Sequence, residues 1–341
     1  MKKILVTAAQ YIFFLGLGIL LLWWTTKNLT ADEIRQLKDA LKDANYFLVI
    51  PAMILLLLSH FSRALRWKIL MEPLNFQPST LNTFFAVMLS YFFNLLVPRL
   101  GEVMKCTILA RYEKTPVDKL IGTMVAERAI DVICLLLVIF TTILLQIDIV
   151  GEFAMTEFRK AYGTKAGGID VTSLLIAVGI FLAAVFMIVW LMRRYNHVGI
   201  IGKINTGLKG IWMGLTSIRF VKRKWAFVFH TVFIWAMYLM SIRLGFYAME
   251  SVSHLGIKPS FTILSFGSLA MIITQGGIGA YQLAVEKTLT LYGINEVNGL
   301  AFGWLLWAVQ TLLVLIVGFL CLMLLPVFNK KKNETLRKNQ G

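Results

Sequence analysis

Long apolar runs separated by short polar stretches leave few folds open to this chain. A run of about twenty apolar residues matches the hydrocarbon thickness of a bilayer, and inside lipid a continuous helix satisfies every backbone N–H and C=O. Six runs of this kind fall at about 5–26, 46–62, 120–147, 171–192, 225–249 and 300–325. With 58% hydrophobic and only 15% charged residues among 341, no separate soluble domain fits in what remains. The N-terminal Met1-Lys2-Lys3 and the apolar run behind it resemble a secretory signal. The run reaches Trp24 without a small-residue cleavage site, so a retained first span is expected.

Two further apolar segments do not read as simple crossings. Residues 80–97 end in Pro98-Arg99-Leu100-Gly101-Glu102, and residues 260–293 are interrupted by Gln275-Gly276-Gly277-Ile278-Gly279. Irregular backbone at membrane depth is tolerated only where protein or water covers it, so such breaks line a cavity or a path. Both segments are read as re-entrant helical hairpins.

The formal charge of +16 is explained by topology. No basic face interleaved with exposed aromatics suggests nucleic acid, and the cations cluster beside the spans. With both termini inside, 23 lysines and arginines fall on the inner side and nine on the outer, which points to cytoplasmic termini in the cytoplasmic membrane. This assignment runs the last three spans opposite to the first three, each triplet holding one hairpin. The expected fold is therefore an all-α integral membrane protein with an inverted 3+3 repeat. Its transmembrane domain covers 1–328, divided into halves of about 1–165 and 166–328, and a basic disordered tail follows over 329–341. Residues 31–45 and 199–218 are amphipathic at helical spacing, each after the first span of its half, and are expected in the interface plane.

The polar residues that remain near membrane depth are few. Arg63 and Arg66 share a helix face at i,i+3, suited either to phosphate binding or to snorkelling beside the interfacial Trp67. Arg99 and Glu102 flank Gly101 at the end of an apolar segment, and Lys105 is placed to pair with Glu102. A charge at that depth costs roughly 2.5–3.5 kcal/mol on insertion scales, which makes these residues functional candidates. Glu127 and Asp131 share a face at i,i+4, with Arg128 between them. These carboxylates are placed to carry protons, to hold a cation, or to pair with Arg63, Arg66 or Arg99. In the second half Gly276, Gly277 and Gly279 offer unusual backbone freedom and amides able to cradle an anion, with Gln282 beyond them. Glu286, Lys287 and Arg243 are further charges that reach the outer interface. Cys106, Cys134 and Cys321 show no ligand spacing, nor do the four histidines, and no cofactor or metal motif is present. No nucleophile with a base stands out, so enzyme chemistry is unsupported.

Taken in order, Arg63-x-x-Arg66-Trp67, Pro98-Arg99-Leu100-Gly101-Glu102, Glu127-Arg128-x-x-Asp131 and Gly276-Gly277-Ile278-Gly279 resemble the lysylphosphatidylglycerol synthase transmembrane family. That family includes the flippase-like membrane region of the bacterial multiple peptide resistance factor. The resemblance implies translocation of a phospholipid headgroup between the two halves, with membrane lipid as the partner. It places the arginines and the glycine loop on the headgroup and assigns Glu102, Glu127 and Asp131 to the polar path. An aminoacyl-transferring domain is not expected beside the spans, so the synthase label is expected to describe ancestry. Gln275 and Gln282 depart from the family's usual proline and carboxylate. Since glutamine does not ionise, any coupling ion or proton is assigned to the first half. Two other readings are a membrane transferase acting on a lipid carrier, with Glu102 or Asp131 as base or metal ligand, and a non-catalytic partner of a separately encoded lipid-modifying enzyme.

Overall fold

The computed structural model describes residues 29–97, 99–146 and 221–338, with single positions at 16, 20, 21, 23 and 27. The expected spans at 5–26 (apart from those single positions) and 171–192, and the amphipathic segment at 199–218, lie outside the described residues. Every regular element among those described is helical.

Four helices are long and apolar enough to cross a membrane, at Tyr46–Leu74, Val117–Leu145, Lys224–Ala248 and Glu296–Lys330. They coincide with four of the six expected spans. In chain order the helices are α1 (Ala31–Lys42), α2 (Val49–Met71), α3 (Thr80–Leu96), α4 (Leu100–Glu113) and α5 (Val117–Leu145). The second set is α6 (Lys224–Gly245), α7 (Glu250–Ser253), α8 (Ile257–Ile273), α9 (Ala280–Thr290) and α10 (Glu296–Lys338). Helix α2 continues well past residue 62, carrying Arg63 and Arg66 inside the span. Helix α10 runs through the Lys330-Lys331-Lys332 run to Lys338, where composition suggests an irregular tail.

Helix α1 starts with a reciprocal cap, in which the Thr30 hydroxyl accepts from the Glu33 amide and Glu33 accepts from the Thr30 amide at 2.7 Å. Its apolar face is partly covered by protein: Leu37, Ala40 and Leu41 pack on the main core cluster and the helix lies against α10, while Ile34 stays exposed.

At 17 residues each, α3 and α8 are about 25 Å long, short of a hydrocarbon core of about 30 Å. Each is followed by a break and a second helix that folds back onto it. The first hairpin differs from the sequence expectation in one respect. Residues 80–96 form one unbroken arm, and the second arm is the more polar Leu100–Glu113. Close approach of the arms depends on Gly101, where a Cβ would lie 1.9 Å from the Ser90 carbonyl oxygen. In the second hairpin the small residue is on the other arm, since Gly267 packs against the Tyr281 ring. Ser90 and Gly267 are each the eleventh residue of the first arm, and Gly101 and Tyr281 each the second residue of the return arm.

Long helices interlock the two sets. Helix α2 packs along α6, α3 along α10, and α8 along α5. Each hairpin thus rests on the last long helix of the opposite set. Asn82 on α3 and Asn329 on α10 exchange hydrogen bonds at 2.9 and 2.8 Å. At the other end of the molecule Thr142 meets Ser265 at 2.8 Å, and Gln146 accepts from Thr262 at 2.9 Å and donates to the Lys258 carbonyl at 3.0 Å. Helix α10 admits its neighbours through glycines: Gly299 and Gly303 face the α9 backbone at Glu286 and Gln282, and Gly318 faces Phe92 of α3.

The hairpin geometry predicts that Gly101→Ala destabilises the protein by about 3 kcal/mol, because the new methyl meets backbone that cannot move aside. Gly122→Ala, where a Cβ meets nothing within 4 Å, leaves stability unchanged or raises it by up to about 1 kcal/mol. Thermal unfolding of the two purified variants in detergent checks the contrast.

Candidate functional site

Three helices of the first set bring their charges to one place. Arg63 and Arg66 project from α2, Lys105 from α4, and Glu127 and Asp131 from α5. Glu127 is fully buried and accepts from Arg63 at 3.2 Å and from Lys105 at 2.5 Å, with Arg66 at 3.8 Å. Asp131 accepts from Arg66 at 2.6 Å and also bonds Arg63. Lys105 pairs with Glu127, where the sequence spacing suggested Glu102. Its ammonium also lies 4.0 Å from the centre of the Trp67 ring, whose indole N–H donates to Thr123 at 2.9 Å. Arg63, Arg66 and Lys105 are buried, so they are not the interfacial charges that the topology count took them for. Arg128 stands at the edge of this cluster, 3.9 Å from Glu102 and 4.0 Å from Asp131.

The cluster forms one wall of a partly open cavity of about 580 Å³ lined by both helix sets. Arg63, Arg128 and Asp131 face it, and so do Arg99 and Glu102 of the first break and Thr274 and Gly276 of the second. The two breaks therefore meet at one space, and Gly276 approaches Leu95 of the first hairpin. Arg99 turns the chain with a left-handed φ of 63°, uncommon for a residue with a side chain, and has no carboxylate partner among the described residues. Arg66, Lys105 and Glu127 stand behind the wall.

Gly101, Gly277, Gly279 and Gln282 shape the breaks without lining the cavity. The Gly101 amide donates to the Asn94 side-chain oxygen at 2.8 Å. In the second break the Gly279 amide donates to the fully buried Gln282 side chain at 2.8 Å, and the Gly277 amide to the Thr274 carbonyl at 3.2 Å. These amides are used within the fold and do not make a free anion cradle. All three loop glycines have positive φ, and the Gly276 carbonyl accepts from the Trp307 indole at 2.8 Å. Of the other second-half charges, Glu286 is largely buried and pairs with Lys287 at 2.9 Å, away from the cavity. Burial pushes its carboxyl pKa up, against the opposing effect of Lys287.

Sequence reasoning missed the aromatic and neutral polar lining, including Tyr91, Asn94, Trp235, Tyr238 and Gln310. Arg63 donates to the Tyr238 hydroxyl at 3.3 Å, which ties the charge cluster to the second helix set. The i,i+3 pairs Tyr91/Asn94, in the first hairpin, and Trp235/Tyr238, in a span, were the available signal. His60 is buried against the Tyr91 ring at 4.5 Å, and His230 meets the Ser62 hydroxyl at 2.9 Å. Among the described residues no group of three or more His, Cys, Asp and Glu side chains is placed to hold a metal ion.

Fold and site together define a helical membrane protein with a charged, partly open cavity between interlocked helix sets. A sequence profile of the lysylphosphatidylglycerol synthase transmembrane region matches residues 9–318, and the chain belongs to that family. Comparison with curated proteins and with solved structures finds no match.

The buried pairing predicts that Glu127→Ala lowers stability by about 3–5 kcal/mol, because it strands Lys105 and weakens the neutralisation of two arginines. Combining it with Lys105→Met recovers part of that loss, since the stranded ammonium is removed as well. A double-mutant cycle on thermal unfolding in detergent measures the coupling.

Proposed function

We propose that this chain translocates phospholipid across the cytoplasmic membrane, with the headgroup crossing through the shared cavity while the acyl chains stay in lipid. The observation that carries this reading is the convergence of both helix breaks on one cavity walled by a buried charge cluster. Arg63, Arg66, Arg99, Lys105 and Arg128 outnumber Glu102, Glu127 and Asp131, so the site holds an excess of positive charge. An excess of that sign in a low-dielectric setting favours an anionic group, and guanidinium is suited to a phosphodiester. Arg99 and Arg128 are the proposed phosphate contacts. Arg66, Lys105, Glu127 and Asp131 are the proposed supporting network, which positions Arg63. Gly101, Gly277, Gly279 and Gln282 hold the breaks open around the path.

The architecture we propose for this task is six spans and two re-entrant hairpins in an inverted repeat, the first and fourth spans completing the four described. The equal first arms, the exchanged Ser90/Gly101 and Gly267/Tyr281 contacts and the crosswise packing support that symmetry. Cytoplasmic termini follow from the basic residues that remain outside the core, which still favour the inner side.

Reconstitution into liposomes tests the reading. The protein is expected to speed exchange of fluorescent phospholipids between leaflets, and Arg99→Ala to slow it about tenfold or more, as expected for one lost charged contact. Its thermal stability is expected to stay the same, because Arg99 is exposed and pairs with no carboxylate among the described residues. Exchange no faster than in protein-free vesicles, across anionic and zwitterionic headgroups alike, would sink the proposal.

A further inference from the structure

The three carboxylates in and behind the cavity wall are not equally used. Glu127 takes Lys105 on one oxygen and Arg63 on the other, and Asp131 divides its oxygens between Arg63 and Arg66. Glu102 differs. One of its oxygens stands 3.9 Å from Arg128, too far for a hydrogen bond, and the other, Oε2, is buried with no hydrogen-bond partner. The Arg128 Nε, the atom 3.9 Å from Oε1, is also buried without an acceptor. A buried carboxylate oxygen left without a donor is costly, and it invites a ligand that supplies one. The charged groups around the rest of the cavity are mainly donors: Arg63, Arg99 and Arg128 all face it. A bare phosphodiester would satisfy these and leave Glu102 orphaned.

We propose that Glu102 is a specificity-determining residue that accepts a hydrogen bond from the far end of the headgroup. The site would then select phosphodiesters bearing a hydroxyl or a primary ammonium over those ending in methyl groups. This inference rests on the reading of the cavity as the headgroup path. In that arrangement Arg99 and Arg128 meet the phosphate, and the donor three or four bonds beyond the ester oxygen reaches Glu102. Attraction by net charge alone would rank headgroups differently, because methylated choline is a cation that offers no donor.

Two lipid pairs matched in net charge separate the alternatives: phosphatidylglycerol against phosphatidylmethanol, and phosphatidylethanolamine against phosphatidylcholine. Equilibrium binding of their short-chain forms to the purified protein is expected to favour the donor-bearing member of each pair by about tenfold or more, as for a hydrogen bond to a charged group. In Glu102→Leu both ratios are expected to fall to about one. In the isosteric Glu102→Gln, which keeps a neutral acceptor, the hydroxyl ratio is expected to persist in part while the ammonium ratio collapses. Equal affinities within the pairs, ratios that survive Glu102→Leu, or no binding of any member would overturn the assignment. Transport is scored separately in vesicles with the same four lipids. Lipids that bind with the expected ratios and do not cross would overturn the translocation reading and leave the role of Glu102 standing.

Discussion

A buried charge must find its counter-charge, and this requirement sets the geometry of the first helix set. Two arginines on α2 lie inside the protein, where an unpaired cation would cost several kcal/mol. Their neutralisation by Glu127 and Asp131 fixes how α5 lies against α2, and Lys105 then fixes α4 through the second oxygen of Glu127. Once α4 is anchored there, the short break at Arg99 has to face the space between the helix sets. The position of the candidate site is a consequence of how charge is hidden.

The hairpins show the same economy in steric terms. An arm of 17 residues does not span the bilayer, so the chain returns, and the return needs one position without a side chain. The first hairpin places that glycine on the outgoing side of the break and the second places it on the incoming side. The caps also differ. Asn94, before the first break, binds the Gly101 amide, whereas Gln282, beyond the second, binds the Gly279 amide. The two breaks are filled by different chemistry, and among the described residues the charged side chains at the cavity come from the first set alone.

Much of this arrangement was legible in the sequence, for identifiable reasons. Apolar length located the four described spans, and polar residues in apolar surroundings located both breaks and most of the charge cluster. The ends of α2 were not legible, because hydropathy counts Arg63 and Arg66 against a span, while their partners lie 64 to 68 residues away and are invisible to any local window. The second arm of the first hairpin was missed because Leu100–Glu113 is too polar to look membrane-associated. Tyr91, Trp235 and Tyr238 were missed because apolar periodicity does not distinguish a side chain facing lipid from one facing a cavity. Gln282 was read as a lost carboxylate; in the structure its amide oxygen closes the turn.

The partition of bonds between the two helix sets has a further consequence. Apart from the contact of Arg63 with Tyr238 and an exposed pair between Glu72 and Arg223, the side-chain ties described across the sets are neutral: Asn82 with Asn329, Thr142 with Ser265, Gln146 with Thr262, and Ser62 with His230. Ion pairs hold the first set together internally, while amides and hydroxyls join it to the second. Sliding of one set past the other would therefore exchange uncharged hydrogen bonds and leave the buried charges in their places. Such a motion would depend little on ionic strength, because it would break none of the buried ion pairs.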